Sequence, residues 1–377
     1  MIRLLPRMLF LIALVLLLGV PAAAEPLVTD AYGAALEQAD ALGLDGLVEA
    51  LPEEARSLMG EYGSFNVPDF GDGLSGVLGA ALSQVTGIFR GALRNAALIL
   101  AVAILCGLAG SICATEIQGN VVTVTGVLAI AAVTVGNPSA FIGLGGQTLS
   151  QIKDFAGVLL PVMAAAGAAG GAITSASAQY AATMLFLDVL LTIADQVIMP
   201  LVYAYIAVSV GNAAFGGDAL RSAAGLLKWI ATILLTGIVI VFVAYLTITG
   251  VVSGSTDALT TRVAKTAVAT ILPVVGGILT DAASTVVAGA GILRNTTGVL
   301  GMLATIAICA IPFLRLGASY LLYKLAAGLM APVADARLAR LTADMSGAFA
   351  VVLGLVGAGA LMLFITLLSM IKMVTGL

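Results

Sequence analysis

The chain has 377 residues, of which 61% are hydrophobic and only 10% are charged, and its formal net charge is −4. Ordinary soluble domains contain about a quarter charged residues, so this composition excludes that class and indicates an all-α, polytopic helical membrane protein. Histidine is absent, which excludes Ser-His-Asp triads and histidine-based zinc peptidase motifs. The three cysteines lie in or beside apolar runs, where cysteine packs as a small hydrophobic residue. We therefore expect no catalytic, cofactor-binding or metal-binding residues.

Residues 1–24 predict a secretory signal peptide. Arg3 and Arg7 precede an apolar run at residues 8–20, and three alanines at 22–24 form an A-x-A cleavage site before Glu25. An uncleaved first membrane anchor is the alternative interpretation. Both interpretations predict that the following segment is exported.

Residues 25–90 predict an acidic extracytoplasmic segment. Between Glu25 and Asp72 there are eleven acidic residues and one basic residue, Arg56. This charge is unsuited to binding nucleic acid. Leucines at helical spacing predict two short helices that end near Gly60. We expect a small helical domain or arm that docks on another surface, and a solvated spacer is the alternative.

Residues 91–377 predict a polytopic transmembrane domain. A helix needs about 20 apolar residues to cross the hydrocarbon core, and the sequence predicts about seven to nine such helices. The candidate segments are Asn95 to Cys113, Asn120 to Val135, Phe155 to Ile173, Tyr180 to Ile198, Pro200 to Phe215, Trp229 to Gly250, Ala267 to Leu293 in broken form, Val299 to Leu314, Leu316 to Val333, and Ala348 to Ile371. Because proline cannot donate a backbone hydrogen bond, helix breaks are predicted at Pro161, Pro200, Pro273 and Pro312.

The prolines also predict an internal repeat, with units at 120–228 and 229–345 and a truncated third element at 346–377. Pro161 and Pro273 share an offset of 112 residues with Pro200 and Pro312. Transporters and pores use such internal symmetry to build a path. Chance matching within apolar sequence is the competing explanation.

Basic residues leave the orientation of the later loops open. Positive residues favour the cytoplasmic side, but three pairs cannot all lie there unless the Trp229 to Gly250 span is a hairpin or one segment fails to cross. The pairs are Arg221 with Lys228, Arg262 with Lys265, and Arg337 with Arg340.

Asp188 and Asp195 are candidate functional residues, because they lie inside an apolar run and, seven positions apart, share one helix face. An ionisable group at bilayer depth faces a protein interior or water by default. One interpretation is a polar stripe that lines a conduit or coordinates a cation. The other is structural pairing with a base such as Arg315 or Lys265.

The stretch from Val251 to Gly301 keeps helical periodicity while it carries the charged residues Arg262, Lys265 and Asp281. Two amphipathic helices, broken at Pro273 and the glycines that follow, fit a hairpin at an interface or beside water better than one lipid-bathed span. A loop followed by a plain span is the alternative.

A longer stretch, from Leu227 to Asn295, carries a family resemblance. It includes Val251-Val252-Ser253-Gly254 and Leu272-Pro273-Val274-Val275-Gly276-Gly277. In these residues the chain resembles the stage III sporulation protein AE family of endospore-forming bacteria. The signal peptide, the acidic segment with Leu51-Pro52-Glu53-Glu54-Ala55 and the closing hydrophobic span extend the resemblance over essentially the whole chain.

The resemblance implies a non-enzymatic integral membrane subunit of the sporulation channel, or secretion-like complex, that connects mother cell and forespore and is needed for forespore development. It implies a multi-pass location in the mother-cell membrane around the forespore, with the exported region in the intermembrane space. The implied partners are the other stage III A-series membrane proteins, stage II sporulation protein Q across that space, and a cytoplasmic ATPase, in a homo- or hetero-oligomer.

Two other functions remain open from the residues alone. One is an autonomous secondary transporter or permease that uses Asp188 and Asp195 as its substrate or ion site. The other is a membrane scaffold that recruits partners through the acidic segment and conducts nothing.

Overall fold

The computed structural model describes the backbone of residues 45–60, 70–135, 138–169, 173–271 and 276–375. The side chains of residues 45, 135, 138–142, 173–175, 247–291, 293–294 and 372–375 lie outside the description. The helices are α1 (Asp45–Glu49), α2 (Glu53–Met59), α3 (Phe70–Ile112), α4 (Glu116–Val135), α5 (Pro138–Ala169), α6 (Ile173–Ile193), α7 (Met199–Phe215), α8 (Asp218–Ile271), α9 (Gly276–Met330) and α10 (Ala336–Thr375). A π-helical segment, Ala194–Ile198, joins α6 to α7. The described chain contains no strand.

Seven helical stretches of the described chain are long and apolar enough to cross a membrane. They are Phe70–Ile112, Glu116–Thr134, Gly143–Ala169, Ala176–Phe215, Asp218–Leu246, Asn295–Met330 and Ala336–Ile371. The all-α polytopic fold is thereby confirmed. Two pairs of predicted spans, those meeting at Met199 and at Arg315, are each one continuous stretch. The predicted span from Ala267 to Leu293 lies where the side chains are largely outside the description.

The predicted helix breaks are wrong at Pro161 and Pro312, which lie inside the continuous helices α5 and α9. Each proline removes one backbone hydrogen bond, and the neighbouring buried side chains hold the two halves of each helix in line. Pro200 lies in the first turn of α7, directly after the π-helical segment, so the hydrogen-bond pattern changes there while the chain stays helical. Pro273 lies outside the described residues.

The last long helix, α10, lies at the centre of the bundle. It packs against α9 and also contacts α4, α5, α6, α7 and α8. Completely buried side chains of α10 recur at helical spacing and are Met345, Ala348, Val352, Leu355, Met362 and Leu367. Between membrane helices, such packing is stabilised by dispersion contacts, because lipid tails are as apolar as the side chains.

Two helix ends and one turn meet at one end of the bundle. Gly107 in α3 lies against Val333, so closely that a Cβ on residue 107 would be 2.7 Å from the Val333 carbonyl oxygen. Thr123 in α4 donates a 2.9 Å hydrogen bond to the Asp335 carboxylate. The other oxygen of that carboxylate accepts a 2.9 Å hydrogen bond from the Arg337 backbone N–H and caps the start of α10. These contacts hold α3, α4 and the α9–α10 turn together.

We call this end of the bundle the basic end, because Arg221, Arg337 and Arg340 line one pocket there. Arg262 lies 41 residues further along the single helix α8, which is about 60 Å at the helical rise of 1.5 Å per residue. The pair Arg221 and Lys228 and the pair Arg337 and Arg340 therefore lie towards the basic end. The pair Arg262 and Lys265 lies far from it along α8.

The acidic segment contributes two short helices that dock on the chain's own bundle. In the described part of this segment, α2 packs against α9 and α3, and α1 packs against α5. Leu47, Leu51 and Leu58 are almost completely buried there, and Arg315 binds Glu54 at 3.2 Å. The end predicted near Gly60 is confirmed, because α2 ends at Met59. The solvated spacer is wrong for residues 45–60.

The predicted boundary between residues 90 and 91 lies inside α3, which runs as one helix from Phe70 to Ile112. The polypeptide therefore has no joint at that position. The predicted signal peptide, residues 1–24, lies outside the described residues.

The two predicted repeat units contain different sets of helices. The first holds most of α4, all of α5 to α7 and the start of α8, whereas the second holds the rest of α8, all of α9 and the start of α10. Pro200 begins α7, but its counterpart Pro312 lies inside α9. The shared offset of these two prolines therefore does not reflect shared local structure, and the repeat stays a prediction.

Gly145 in α5 is the basis of a stability prediction. A Cβ there would lie 2.5 Å from Val352 Cγ1 and 3.2 Å from Met199 Cε, and the buried β-branched valine has little rotamer freedom with which to move away. We expect Gly145→Ala to lower the free energy of unfolding by about 1–3 kcal/mol. Denaturant unfolding in detergent, followed by circular dichroism, measures the effect.

The matched control is Gly143→Ala on the same helix, where a Cβ would meet open space. This change should be neutral or stabilising by up to about 1 kcal/mol, because alanine is the better helix former. Equal stabilities of the two variants would contradict the close contact between α5 and α10.

Candidate functional site

Helices α5 and α6 run antiparallel and share a polar surface. A Cβ on Gly146 would lie 3.5 Å from Asp195 Oδ1, and one on Gly157 would lie 3.9 Å from Met184 Cε. Between these contacts, the Lys153 ammonium group forms an ion pair with the carboxylate of Asp188. We call this surface the polar face, and its residues are Gln147, Ser150, Lys153, Asp154, Asp188, Asp195 and Gln196.

The partner of Asp188 differs from both predicted bases. Lys153 pairs with it, whereas Arg315 binds Glu54 and the side chain of Lys265 lies outside the described residues. The Lys153 and Asp188 side chains are 30% and 63% exposed, and Asp195 is also exposed. The predicted polar stripe is therefore present on one helix face, but it points away from the centre of this chain.

The polar face is costly in contact with lipid. Both helices contribute candidate membrane spans, and a charged side chain at the centre of such a span costs about 2.5–3.5 kcal/mol in insertion measurements. The Lys153–Asp188 ion pair offsets part of this cost. Asp154 meets the Ser150 hydroxyl at 3.5 Å, which is too long for a strong hydrogen bond. Contact with water or with another protein would satisfy these groups.

Behind the polar face, buried polar groups tie α6 to α10. The Gln179 side-chain amide donates a 2.8 Å hydrogen bond to the Ser369 hydroxyl, and the hydroxyls of Thr183 and Thr366 are 2.7 Å apart. Both threonines lie completely buried. Because buried polar groups need partners, these pairs fix how α6 and α10 are aligned along their axes.

A second polar site lies at the basic end. It is a pocket of about 90 Å³, and we call it the basic pocket. Its lining residues are Ser209, Asn212, Ala213, Gly216, Gly217, Asp218, Arg221, Arg337, Arg340, Leu341 and Asp344. The α7–α8 turn positions this lining, and Gly216 and Gly217 have φ values of 74° and 126°, which favour glycine.

One residue that lines the basic pocket, Asp344, is hydrogen-bonded to Tyr205, which lies outside the lining. The buried Tyr205 hydroxyl lies 3.0 Å from the Asp344 carbonyl oxygen and 3.2 Å from its carboxylate oxygen. Lys228 Nζ lies 5.7 Å from the centre of the Tyr205 ring, within the range of a cation–π contact. Gly347 leaves room for this arrangement, because a Cβ there would lie 2.9 Å from the Tyr205 hydroxyl.

The basic pocket was not found from the sequence. Arg221, Arg337 and Arg340 counted only as topology signals, and Tyr205 and Asp344 are 139 residues apart, so no local spacing connects them. One signal was present, namely an acidic residue directly before the apolar part of α10.

The other charged residues predicted for the site are Arg262, Lys265 and Asp281. Arg262 lies in α8 and Asp281 in α9, but their side chains, like that of Lys265, lie outside the described residues. Among the described residues, no three Cys, Asp or Glu side chains converge as metal ligands would. The polar sites of the described residues are therefore the ion-paired surface of α5 and α6 and the pocket lined by three arginines.

Comparison with known proteins confirms the resemblance. A family model described as stage III sporulation protein AE matches residues 57–374. The chain is also similar to the protein named "Stage III sporulation protein AE" of Bacillus subtilis (strain 168), with 27% identity over 187 residues, which cover 50% of this chain and 47% of that relative. The match thus spans about half the length of the curated relative. No solved structure matches the chain.

Tyr205→Phe tests the hydrogen bonds between the Tyr205 hydroxyl and Asp344. Removing the hydroxyl leaves the carbonyl and carboxylate of the half-buried Asp344 without this donor, so we expect a loss of about 1 kcal/mol in unfolding free energy. Tyr203→Phe is the control on the same helix, because that ring is 48% exposed and its change should stay within about 0.5 kcal/mol. Urea unfolding curves of the two variants in detergent check the difference, and a larger loss for Tyr203→Phe would refute it.

Proposed function

Because this chain belongs to the stage III sporulation protein AE family, we propose that it is a non-enzymatic membrane subunit of a channel or secretion-like complex between mother cell and forespore. Family membership supports a role in sporulation, and the seven candidate spans support a multi-pass membrane location. The observation that carries the channel proposal is the polar face on the outside of the protomer.

The polar face favours an assembly over a lone protomer. Its exposed carboxylates, Asp188 and Asp195, lie on candidate membrane spans, where lipid is the wrong solvent for them. A neighbouring subunit or a water-filled path between subunits removes that cost. The centre of the chain is filled instead by the apolar side chains of α9 and α10. In this proposal the conduit is therefore built between subunits and not through one of them.

The charge of the basic end supports one orientation. By the positive-inside rule, Arg221, Arg337 and Arg340 favour the mother-cell cytoplasm for the basic end. The acidic segment then lies in the intermembrane space. The proposed partners are the other stage III A-series proteins within the membrane, stage II sporulation protein Q on the acidic side, and a cytoplasmic ATPase on the basic side.

An autonomous secondary transporter fits the geometry less well. Such proteins bind substrate near the bilayer midplane at broken helices enclosed by the protein. Here Asp188 and Asp195 are exposed on the protomer, and α5 and α9 continue through Pro161 and Pro312. A membrane scaffold is the remaining alternative, and its function would not depend on the charge of the polar face.

The double change Asp188→Asn with Asp195→Asn tests the proposal. It keeps the size of both side chains and removes their charge, so we expect the subunit to assemble with its partners while the yield of heat-resistant spores falls by about tenfold. Co-purification of the A-series proteins and counts of heat-resistant spores measure the two outcomes separately.

The matched control is Asp72→Asn with Glu116→Gln, which removes two exposed carboxylates outside the polar face. Spore yield should stay near that of the unchanged chain. A normal spore yield of the polar-face variant would support the scaffold and contradict the conduit. Solute movement by the purified protein alone in liposomes would favour the transporter.

A further inference from the structure

The basic pocket brings together several groups that attract anions. Helices α8 and α10 begin beside it, and the free N–H groups at a helix start carry partial positive charge. Arg337 uses one donor on the Asn120 side chain at 3.5 Å, and Arg340 uses one on the Ala336 carbonyl oxygen at 3.1 Å. Each guanidinium has five N–H donors, so donors remain for a bound ligand.

The net charge of the lining suits a singly charged ligand. Three arginines and two aspartates, Asp218 and Asp344, give a net charge of +1. Asp344 is hydrogen-bonded to Tyr205. Ser209 lies in the same lining with only 1% of its surface exposed, and its hydroxyl lies beside Tyr205 and Asp344. The arginines are therefore the donors that remain for a phosphate oxygen.

The surroundings of the basic pocket are apolar. Phe215 is 84% exposed, Leu226 55%, Trp229 53% and Val333 56%, and they lie on the helices and turns that form the pocket. Large exposed apolar side chains next to arginines at the end of membrane spans are typical of the lipid headgroup region. A soluble anion could bind the arginines, but it would leave these apolar side chains exposed.

We propose that the basic pocket binds the phosphodiester group of an anionic phospholipid. The arginines contact the phosphate, and the acyl chains cover Leu226, Trp229 and their neighbours. The single negative charge of a phosphodiester matches the net charge of the lining. This site is separate from the polar face of α5 and α6, so it does not depend on the conduit proposal.

The experiment uses Trp229, which is the only tryptophan in the sequence. The full-length chain is reconstituted into phosphatidylcholine bilayers that contain brominated phosphatidylglycerol, which quenches nearby tryptophan. We expect quenching above that given by brominated phosphatidylcholine at the same mole fraction. In Arg221→Gln with Arg340→Gln, the relative affinity for the anionic lipid should fall by about tenfold.

The control is Arg90→Gln with Arg94→Gln, which removes the same charge from exposed positions of α3 and should keep the excess quenching. Arg221→Lys retains the charge but not the forked donors, and it should lose affinity in part, while circular dichroism verifies that each variant is folded. Equal quenching by both lipids, or an equal loss in the two double variants, would overturn the proposal. Loss of the excess on adding inorganic phosphate would overturn the assignment to a lipid.

Discussion

Close helix packing around α10 is the constraint on which the rest of the bundle depends. A Cβ on Gly354 would lie 3.1 Å from a Leu235 methyl group of α8, and one on Gly359 would lie 2.5 Å from a Leu149 methyl group of α5. Small residues allow such approach, which lipid-embedded helices need because dispersion contacts act only at short range. Several helices can therefore meet around α10 at one filled centre.

Because apolar side chains fill the centre of the bundle, few polar side chains lie there. Neutral groups such as Thr183 and Thr366 remain inside because they hydrogen-bond across the helix interface. The charged groups of the polar face and of the Arg315–Glu54 pair lie at the edges instead. The same packing that stabilises the protomer thus turns its charges towards whatever surrounds it, and this makes an assembly the natural setting for the proposed conduit.

The basic end and the docked acidic helix α2 are chemically different parts of the molecule. At the basic end, arginines from α8 and α10 line one pocket, and Asp335 joins α4 to the start of α10 through Thr123 and the Arg337 backbone N–H. The acidic helix α2 is held against α9 by Arg315 and Glu54 and by buried apolar side chains. The two regions therefore differ in charge and in the helices that form them.

The sequence by itself determined the membrane class, the all-α fold, the end of the arm helix at Gly60 and the family, because apolar runs, helical spacing and motif order are local properties of the chain. It also placed Asp188 and Asp195 on one helix face. Only the tertiary structure decided that Pro161 and Pro312 lie inside unbroken helices, since packing outweighs the loss of one hydrogen bond. It alone paired Lys153 with Asp188 and Tyr205 with Asp344, because the faces that meet depend on how all the helices pack together.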